Sequence, residues 1–401
     1  MKLLCFIDSL GSGGAQRQLA TLAVVFKKRG HEVRFLVYHP HDHFLPLLQA
    51  ADIACQVIPP CSHWRRVLAV RRILRRGWQD VVLAFLEGPC CYAELARSPG
   101  QRWGLVAGEQ LADPRMKSGT GRLLRQLHRL ADAVVSNSHT NQLMLEAEFP
   151  FLRRKLATVY NLVDLQLFRP PLSASATAVS SSMKPLRIVV AASYQEKKNM
   201  AGVARALLGL KRSQSKPQVV VDWFGGMPAS RAPFQRAERF ITENGLGDSL
   251  RLHQATRDIS GEFSRADAVG LFSIFEGLPN VVCEGMACGK PILLSNVCDA
   301  GSLVQDGKNG FLCDPNSPES IASAFKRLAA MSSEGRRQMG LESRTLAEEL
   351  FDEQVVIGHY ERILEAAMHQ EPVSADCTWP ADVPESAVRT VAEWASGSPS
   401  K

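Results

Sequence analysis

The chain lacks any uninterrupted stretch of about eighteen apolar residues, the length a helix needs to cross a hydrocarbon core, so no membrane span is expected. Met1 to Leu10 begins like a secretion signal, with a lysine and an apolar run. Asp8 and the glycines between Gly11 and Gly14 interrupt that run too early, and no export segment is expected. The ten cysteines show neither metal-ligand spacing nor the framework of a short secreted chain; only Cys90 and Cys91 are adjacent. Free thiols in a reducing compartment follow as the expectation. There is no internal repeat, no Asp-x-Asp pair and no compact His/Asp/Glu cluster, which argues against a divalent metal at a diphosphate. The formal charge of +7 suits nucleic acid, an anionic membrane surface or phosphorylated substrates equally. Without a recognition motif or aromatic-basic interleaving, a nucleic-acid partner is not expected.

What is present fits a soluble α/β protein. The 401 residues suit two domains of ordinary size, and 45% hydrophobic with 22% charged residues is a globular composition. An apolar run from Leu3 to Ile7, a glycine loop, a helical period from Gln16 to Arg29, a Gly30 stop and a second run from Val33 to Tyr38 read as strand, loop, helix, strand. Runs at Val81–Phe85, Trp103–Val106 and Ala133–Ser136 extend the pattern toward a parallel sheet. A Pro/Ser/Ala-rich stretch from Phe168 to Ser182 gives little to bury and fits an inter-domain connection. The rhythm restarts with Leu186–Ala191, Val219–Phe224, Ala268–Phe272 and Pro291–Leu294. The expected division is 1–168, a linker 169–185, a second domain 186–345, a helix 346–370 that returns to the first domain, and a disordered tail 371–401. Ligands are expected at the carboxyl ends of the strands, in a cleft that the two domains face.

The segment from Ser273 to Pro291 is the most informative. A strand ends at Ser273, a Gly-Leu-Pro turn exposes Glu276, and a helix starting near Asn280 carries Glu284 in its second turn before Gly289 stops it. A helix start suits a diphosphate, and two carboxylates bracketing it suit the hydroxyls of a sugar and a ribose. Residue types alone leave open that Glu276 is a solvent turn residue and Glu284 a surface helix residue. With its two glutamates separated by seven residues, the leading Ser and the trailing Gly and Pro, the segment resembles the signature of retaining glycosyltransferase family 4, the glycosyl transferases group 1, of GT-B fold. Pro291–Ser295 and Gln305–Pro315 continue the likeness without a gap.

The resemblance implies two Rossmann-like parallel-sheet domains and a set of site residues. Glu276 matches the glutamate that contacts donor-sugar hydroxyls and Glu284 the one that holds the donor ribose. Lys198, followed by Asn199, matches the lysine on the donor diphosphate, while Ser193 stands where many members have arginine; that loses a bidentate clamp and leaves Lys198 with more of the charge, helped by Lys197 or Arg17. Gly13, Gly14 and Arg17 are similar to the N-terminal glycine loop; the P-loop ending is missing, so an ATPase has no support. The loop containing Gly225 resembles one near the diphosphate, and Asn280 begins the phosphate-binding helix. Glu109, in the stretch Val106 to Arg115, resembles a loop of surface-polysaccharide enzymes and is expected to orient the acceptor; His139 is as compatible with packing as with the cleft, and His253 with a structural role.

The implied activity is transfer, with retention, of a hexose or N-acetylhexosamine from a UDP-linked nucleotide sugar to a glycan or lipid-linked saccharide acceptor. The context it suggests is bacterial surface polysaccharide or lipopolysaccharide synthesis, by a cytoplasmic enzyme without a bound metal. Lys198, Glu276 and Glu109 are the catalytic expectations, with Lys198 neutralising the leaving diphosphate. The alternatives are a sugar-nucleotide epimerase of similar fold or a noncatalytic nucleotide-sugar-binding protein. Paired arginines from His63 to Trp78, with Val67, Val70 and Leu74 on one helical face and Trp64 near its start, further suggest peripheral binding to an anionic membrane.

Overall fold

The computed structural model describes residues 1–97, 103–110, 116, 119–171, 185–213, 219–228 and 230–396. Most of the expected 169–185 linker, and Asp113 and Arg115 of the loop after Glu109, lie outside these residues. The chain divides into two compact units: Met1–Leu162 with Glu353–Val383, and Val163–Asp352 with Pro384–Lys401. Each is a parallel sheet flanked by helices, and together they make the GT-B type of α/β fold.

The first unit contains β1 (Lys2–Phe6), α1 (Gly14–Lys28), β2 (Glu32–Val37), α2 (Leu45–Ala50), β3 (Ala54–Val57), α3 (His63–Leu74), β4 (Val81–Phe85), α4 (Glu87–Ala96), β5 (Gly104–Glu109), α5 (Gly119–Arg125), β6 (Ala133–Ser136), α6 (His139–Glu148) and β7 (Leu156–Thr158). Its strands run in parallel in the order β3-β2-β1-β4-β5-β6-β7. The central strands β4 and β5 are buried along their whole length, which is why they read as continuous apolar runs.

The second unit contains β8 (Leu186–Ala191), α7 (Met200–Ser213), β9 (Val219–Gly225), α8 (Ala232–Glu243), β10 (Leu250–Gln254), α9 (Ile259–Ser264), β11 (Ala268–Leu271), α10 (Asn280–Ala287), β12 (Ile292–Ser295), α11 (Ala300–Leu303), β13 (Gly310–Cys313), α12 (Pro318–Ala330) and α13 (Ser333–Phe351). Its sheet order is β10-β9-β8-β11-β12-β13, again parallel throughout.

After α13 the chain forms α14 (Glu353–His369), which belongs to the first unit. Val356, Ile357, Tyr360, Ile363, Leu364 and Ala367 join the apolar core there. The helix sits so close to β5 that a Cβ on Gly104 would come within 2.5 Å of the Ala367 carbonyl, so only glycine fits. Arg29 donates to both oxygens of Glu361 at 2.9 and 2.8 Å, and His31 lies 3.0 Å from the same carboxylate.

From Glu371 to Ser396 the structure departs from the expectation of a disordered tail; residues 397–401 of that tail lie outside the described ones. Trp379 pairs with Val159 beside β7, and its ring stacks on His359 at 5.4 Å. A last helix, α15 (Glu385–Ala395), returns to the second unit. The Pro, Ser and Gly content that suggested mobility punctuates this path, and the apolar period of α15 was too short to stand out against it.

The face of α3 expected at a membrane, with Val70 and Leu74, is turned inward instead. Val70 and Leu74 are buried in the first unit, and Arg66 is buried with its guanidinium 4.2 Å from the Tyr38 ring and donating to the Tyr92 hydroxyl at 3.0 Å. Trp64 and Leu68 point outward instead, 77% and 63% exposed. Helical period fixes which residues share a face; the neighbour the helix packs on, here chiefly α4, decides which face is buried. Among the described residues no helix is long and apolar enough to cross a membrane.

Candidate functional site

In the second sheet the chain leaves β8 toward β9 and leaves β11 toward β12, so the strand order reverses between β8 and β11. Loops that depart in opposite directions open a crevice at the carboxyl ends of the two strands. Lys198 comes from the loop after β8 and Glu276 from the loop after β11, and the two side chains form an ion pair across that crevice, 18% and 13% exposed. The loops are joined by a backbone hydrogen bond of 2.9 Å from Ile274 N–H to the Lys197 carbonyl. The Ser273 hydroxyl donates to Glu276 Oε1 at 2.6 Å.

Backbone geometry holds Lys198 in place. Asn199 adopts the left-handed conformation, φ 63°. Its side-chain oxygen accepts from Gly202 N–H at 3.1 Å, capping α7, and its amide donates to the Pro315 carbonyl at 2.7 Å. Asparagine tolerates this conformation because its short polar side chain bonds locally. Lys197, by contrast, is exposed.

Asn280 opens α10 and Glu284 follows one turn later, so both lie on one face of the helix. Glu284 is buried, which excludes the surface-residue reading. Gly225 ends β9, where a Cβ would lie 2.2 Å from the Ala192 carbonyl; the residue must be glycine for the strand end to pack at all. His253 stacks on Phe224 at 4.5 Å and shares Asp222 with Arg187, a structural arrangement. Beside Glu276 lies a recess lined by Ser273, Gly277, Pro279, Ser295, Val297 and Asp299. The Ser295 to Asp299 wall was not singled out in the sequence; its one visible signal was a serine closing an apolar strand.

The first unit holds Gly13, Gly14, Arg17 and Glu109. Gly13 caps α1, and a Cβ there would meet the folded-back Gln16 side chain at 2.1 Å. Gln16 in turn donates to Asp8 at 2.9 Å. Glu109 ends β5 and is buried, with Oε1 3.0 Å from His128 and Oε2 accepting from Arg125 at 3.0 Å. His128 also lies 2.5 Å from Glu94. Burial works against the charged imidazolium, but Glu94 and Glu109 outweigh it and hold His128 up at about 9. Burial likewise opposes ionisation of Glu109, yet His128 and Arg125 keep its carboxyl below the usual range. Glu94, with burial dominant, is shifted upward. This cluster was not foreseen, since Glu94, Glu109 and His128 are far apart in sequence. His139 is buried, edge-on to Tyr160 at 5.9 Å, as a packing role requires.

Residues 176–345 match the glycosyl transferases group 1 family and residues 12–167 match glycosyltransferase family 4. One curated relative is an N-acetylgalactosamine-N,N'-diacetylbacillosaminyl-diphospho-undecaprenol 4-alpha-N-acetylgalactosaminyltransferase of Campylobacter jejuni. It is 24% identical over 341 residues, 82% of this chain and 90% of the relative. Among solved structures, Anabaena Alr3699/HepE in complex with UDP superimposes with a TM-score of 0.78 at 20% identity, covering 91% of this chain and all (100%) of that one. The lipopolysaccharide outer core galactosyltransferase WaaB in its apo form gives 0.68 at 16% identity, covering 91% and 99%. The two matched spans take in every strand of the second sheet, the strands of the first from β2 onward, and the proposed site residues of both units, and the chain is therefore a glycosyltransferase of GT-B fold related to the family 4 and group 1 enzymes.

Proposed function

We propose that the enzyme transfers a hexose or N-acetylhexosamine, with retention, from a UDP-linked donor to a glycan or lipid-linked saccharide in surface polysaccharide or lipopolysaccharide synthesis. The observation that carries the reading is the Lys198–Glu276 pair spanning the strand-order reversal of the second sheet. Support for the donor and acceptor classes comes from the names of the relatives: an undecaprenol-linked saccharide for the Campylobacter enzyme and UDP for the Anabaena protein.

Breaking a glycosidic bond to a diphosphate leaves negative charge on the departing oxygen. Fixed positive groups aimed at that charge lower the barrier because they need no reorganisation when it develops. Lys198 and the start of α10 at Asn280 supply them, with Lys197 as an outer cation. Glu276 accepts hydrogen bonds from donor-sugar hydroxyls. Both of its hydrogen bonds among the described residues fall on Oε1, leaving Oε2 for a further donor. Glu284 holds the ribose, and the close-packed Gly225 turn lets backbone approach the diphosphate. In the first unit, Gly13, Gly14 and Arg17 are assigned to anion contact. Glu109 is assigned to acceptor orientation as a positioning group, because both its oxygens are already engaged. The enzyme works at the cytoplasmic face of a membrane.

The test supplies candidate UDP-sugars with and without lipid-linked saccharides and follows UDP release. Acceptor-dependent release with an α-linked product supports the reading. Donor conversion without acceptor would point to an epimerase and overturn it.

A further inference from the structure

The recess beside Glu276 has a second wall, formed by the loop that leaves β12, and that wall is held from behind by the last helix of the chain. Three residues of α15 spaced as one face reach it. The Thr390 hydroxyl donates to the Ser386 carbonyl at 2.8 Å, so its oxygen is oriented to accept from Cys298 N–H, which it does at 2.9 Å. Ser386 Oγ accepts from Gly301 N–H at 3.0 Å. Arg389 donates to the Asn296 carbonyl at 2.8 Å. Residues 386, 389 and 390 fall together at helical spacing.

Two features show that the wall needs this support. Cys298 is buried with φ 53°, a conformation a residue bearing a Cβ adopts only where its surroundings fix it. At Gly301 a Cβ would stand 3.1 Å from Ser386 Oγ and 3.3 Å from Pro384, so glycine is what lets α15 lie flat against the loop. A third feature shows what the wall offers. Ser295 is 1% exposed and lines the recess, yet its hydroxyl makes no hydrogen bond within the described residues. A buried hydroxyl without a partner is costly unless something enters to meet it.

We infer that α15 is a brace for the donor recess: Thr390 and Ser386 are positioning residues that hold the Ser295 to Gly301 wall in its binding shape. The inference rests on the reading of this recess as the donor site. The wall has no long element of its own, since α11 is a single turn. Its shape is therefore set by what it packs on, and a segment outside the two sheets tunes donor affinity without touching the donor.

The experiment measures binding of UDP and of UDP-glucose to the full-length enzyme carrying Thr390→Val with Ser386→Ala. Each hydrogen bond removed is expected to weaken binding about fivefold. Thr390→Ser, which keeps the hydroxyl, should restore the affinity lost in Thr390→Val, and the acceptor KM should not move. Should the double variant fold poorly, Thr390→Val alone carries the same comparison. Glu284→Ala is the reference. If it weakens nucleotide binding while the α15 variants do not, the brace is refuted and the donor site stands. If Thr390→Val loses affinity that Thr390→Ser fails to restore, the helix is only structural and the inference falls. If Glu284→Ala leaves both ligands unaffected, the donor-site reading itself fails.

Discussion

In each unit a glutamate at or just beyond the end of a parallel strand meets cationic side chains, and the two units treat it differently. In the first, Glu109 has both oxygens occupied and is 5% exposed, inside a cluster of two carboxylates, one guanidinium and one imidazolium. In the second, Glu276 and Lys198 are paired at the edge of a recess and each keeps some exposure. A buried carboxylate with both oxygens engaged is held in place, and losing a partner strands the others. A partly exposed pair can exchange a partner for a ligand at low cost. The contrast is between a cluster closed on itself, formed by Glu94, Glu109, Arg125 and His128, and a lysine–glutamate pair at the edge of a recess.

The largest expected effect breaks the first cluster. His128 has a folded value of about 9 against 6.5 when unperturbed. A raised histidine contributes stability that is fully present below its unfolded value and is lost as pH rises through its folded value. The first unit should therefore be most stable below about pH 6.5 and weaken toward pH 9, by on the order of 3 kcal/mol. His128→Gln should be less stable at low pH and lose most of this slope. Urea unfolding monitored by tryptophan fluorescence between these limits checks it; an unchanged slope in the variant would assign the pH dependence elsewhere.

The next effect sharpens the second cluster. Lys198→Ala should reduce turnover at saturating donor by roughly 10- to 150-fold, the worth of one buried charge-assisted contact of about 1.5–3 kcal/mol. Glu284→Ala should act mainly on donor binding. Steady-state kinetics with the two varied substrates separate these outcomes, and full turnover in the lysine variant would remove Lys198 from the chemistry. His128→Gln, assayed where it is folded, should leave donor affinity unaltered if the two clusters differ as argued.

Local chemistry explains what could be read from the sequence. The strands β1, β4, β8 and β12 announce themselves as apolar runs because both faces of a parallel sheet are covered. A turn and a helix stop within one short segment located Glu276 and Glu284 on their elements, but only the resemblance of the segment to a family signature assigned them to a site, since residue types alone left both open as solvent residues. The first cluster could not be read, because Glu94, Glu109 and His128 meet only after α4, β5 and the turn after α5 have packed. The brace escaped for the same reason: Thr390 and Ser386 look like any polar face until the Asn296 to Gly301 loop lies against them. The fate of α3 was undetermined because its period allowed either face to turn inward.

That last ambiguity gives the smallest and most informative test. With Arg66 and Leu74 committed to the interior, the outward face of α3 carries Trp64 and Leu68 one turn apart, and helical geometry places Arg71 and Arg72 alongside them. A tryptophan and a leucine flanked by arginines suit the boundary between headgroups and acyl chains, where the rings enter and the guanidiniums meet lipid phosphates. Arg66 is excluded from any such contact, and replacing it would damage the Tyr38 and Tyr92 packing instead. Flotation with anionic vesicles at low salt should show binding that falls at high salt and is weak on neutral lipid. Each of Arg71→Gln and Arg72→Gln should weaken it about fivefold, the equivalent of about 1 kcal/mol per basic residue. Trp64→Ala with Leu68→Ala should lower binding to both lipid types. Equal binding to neutral and anionic vesicles, or full anionic binding by the folded arginine variants, would leave α3 as an ordinary surface helix.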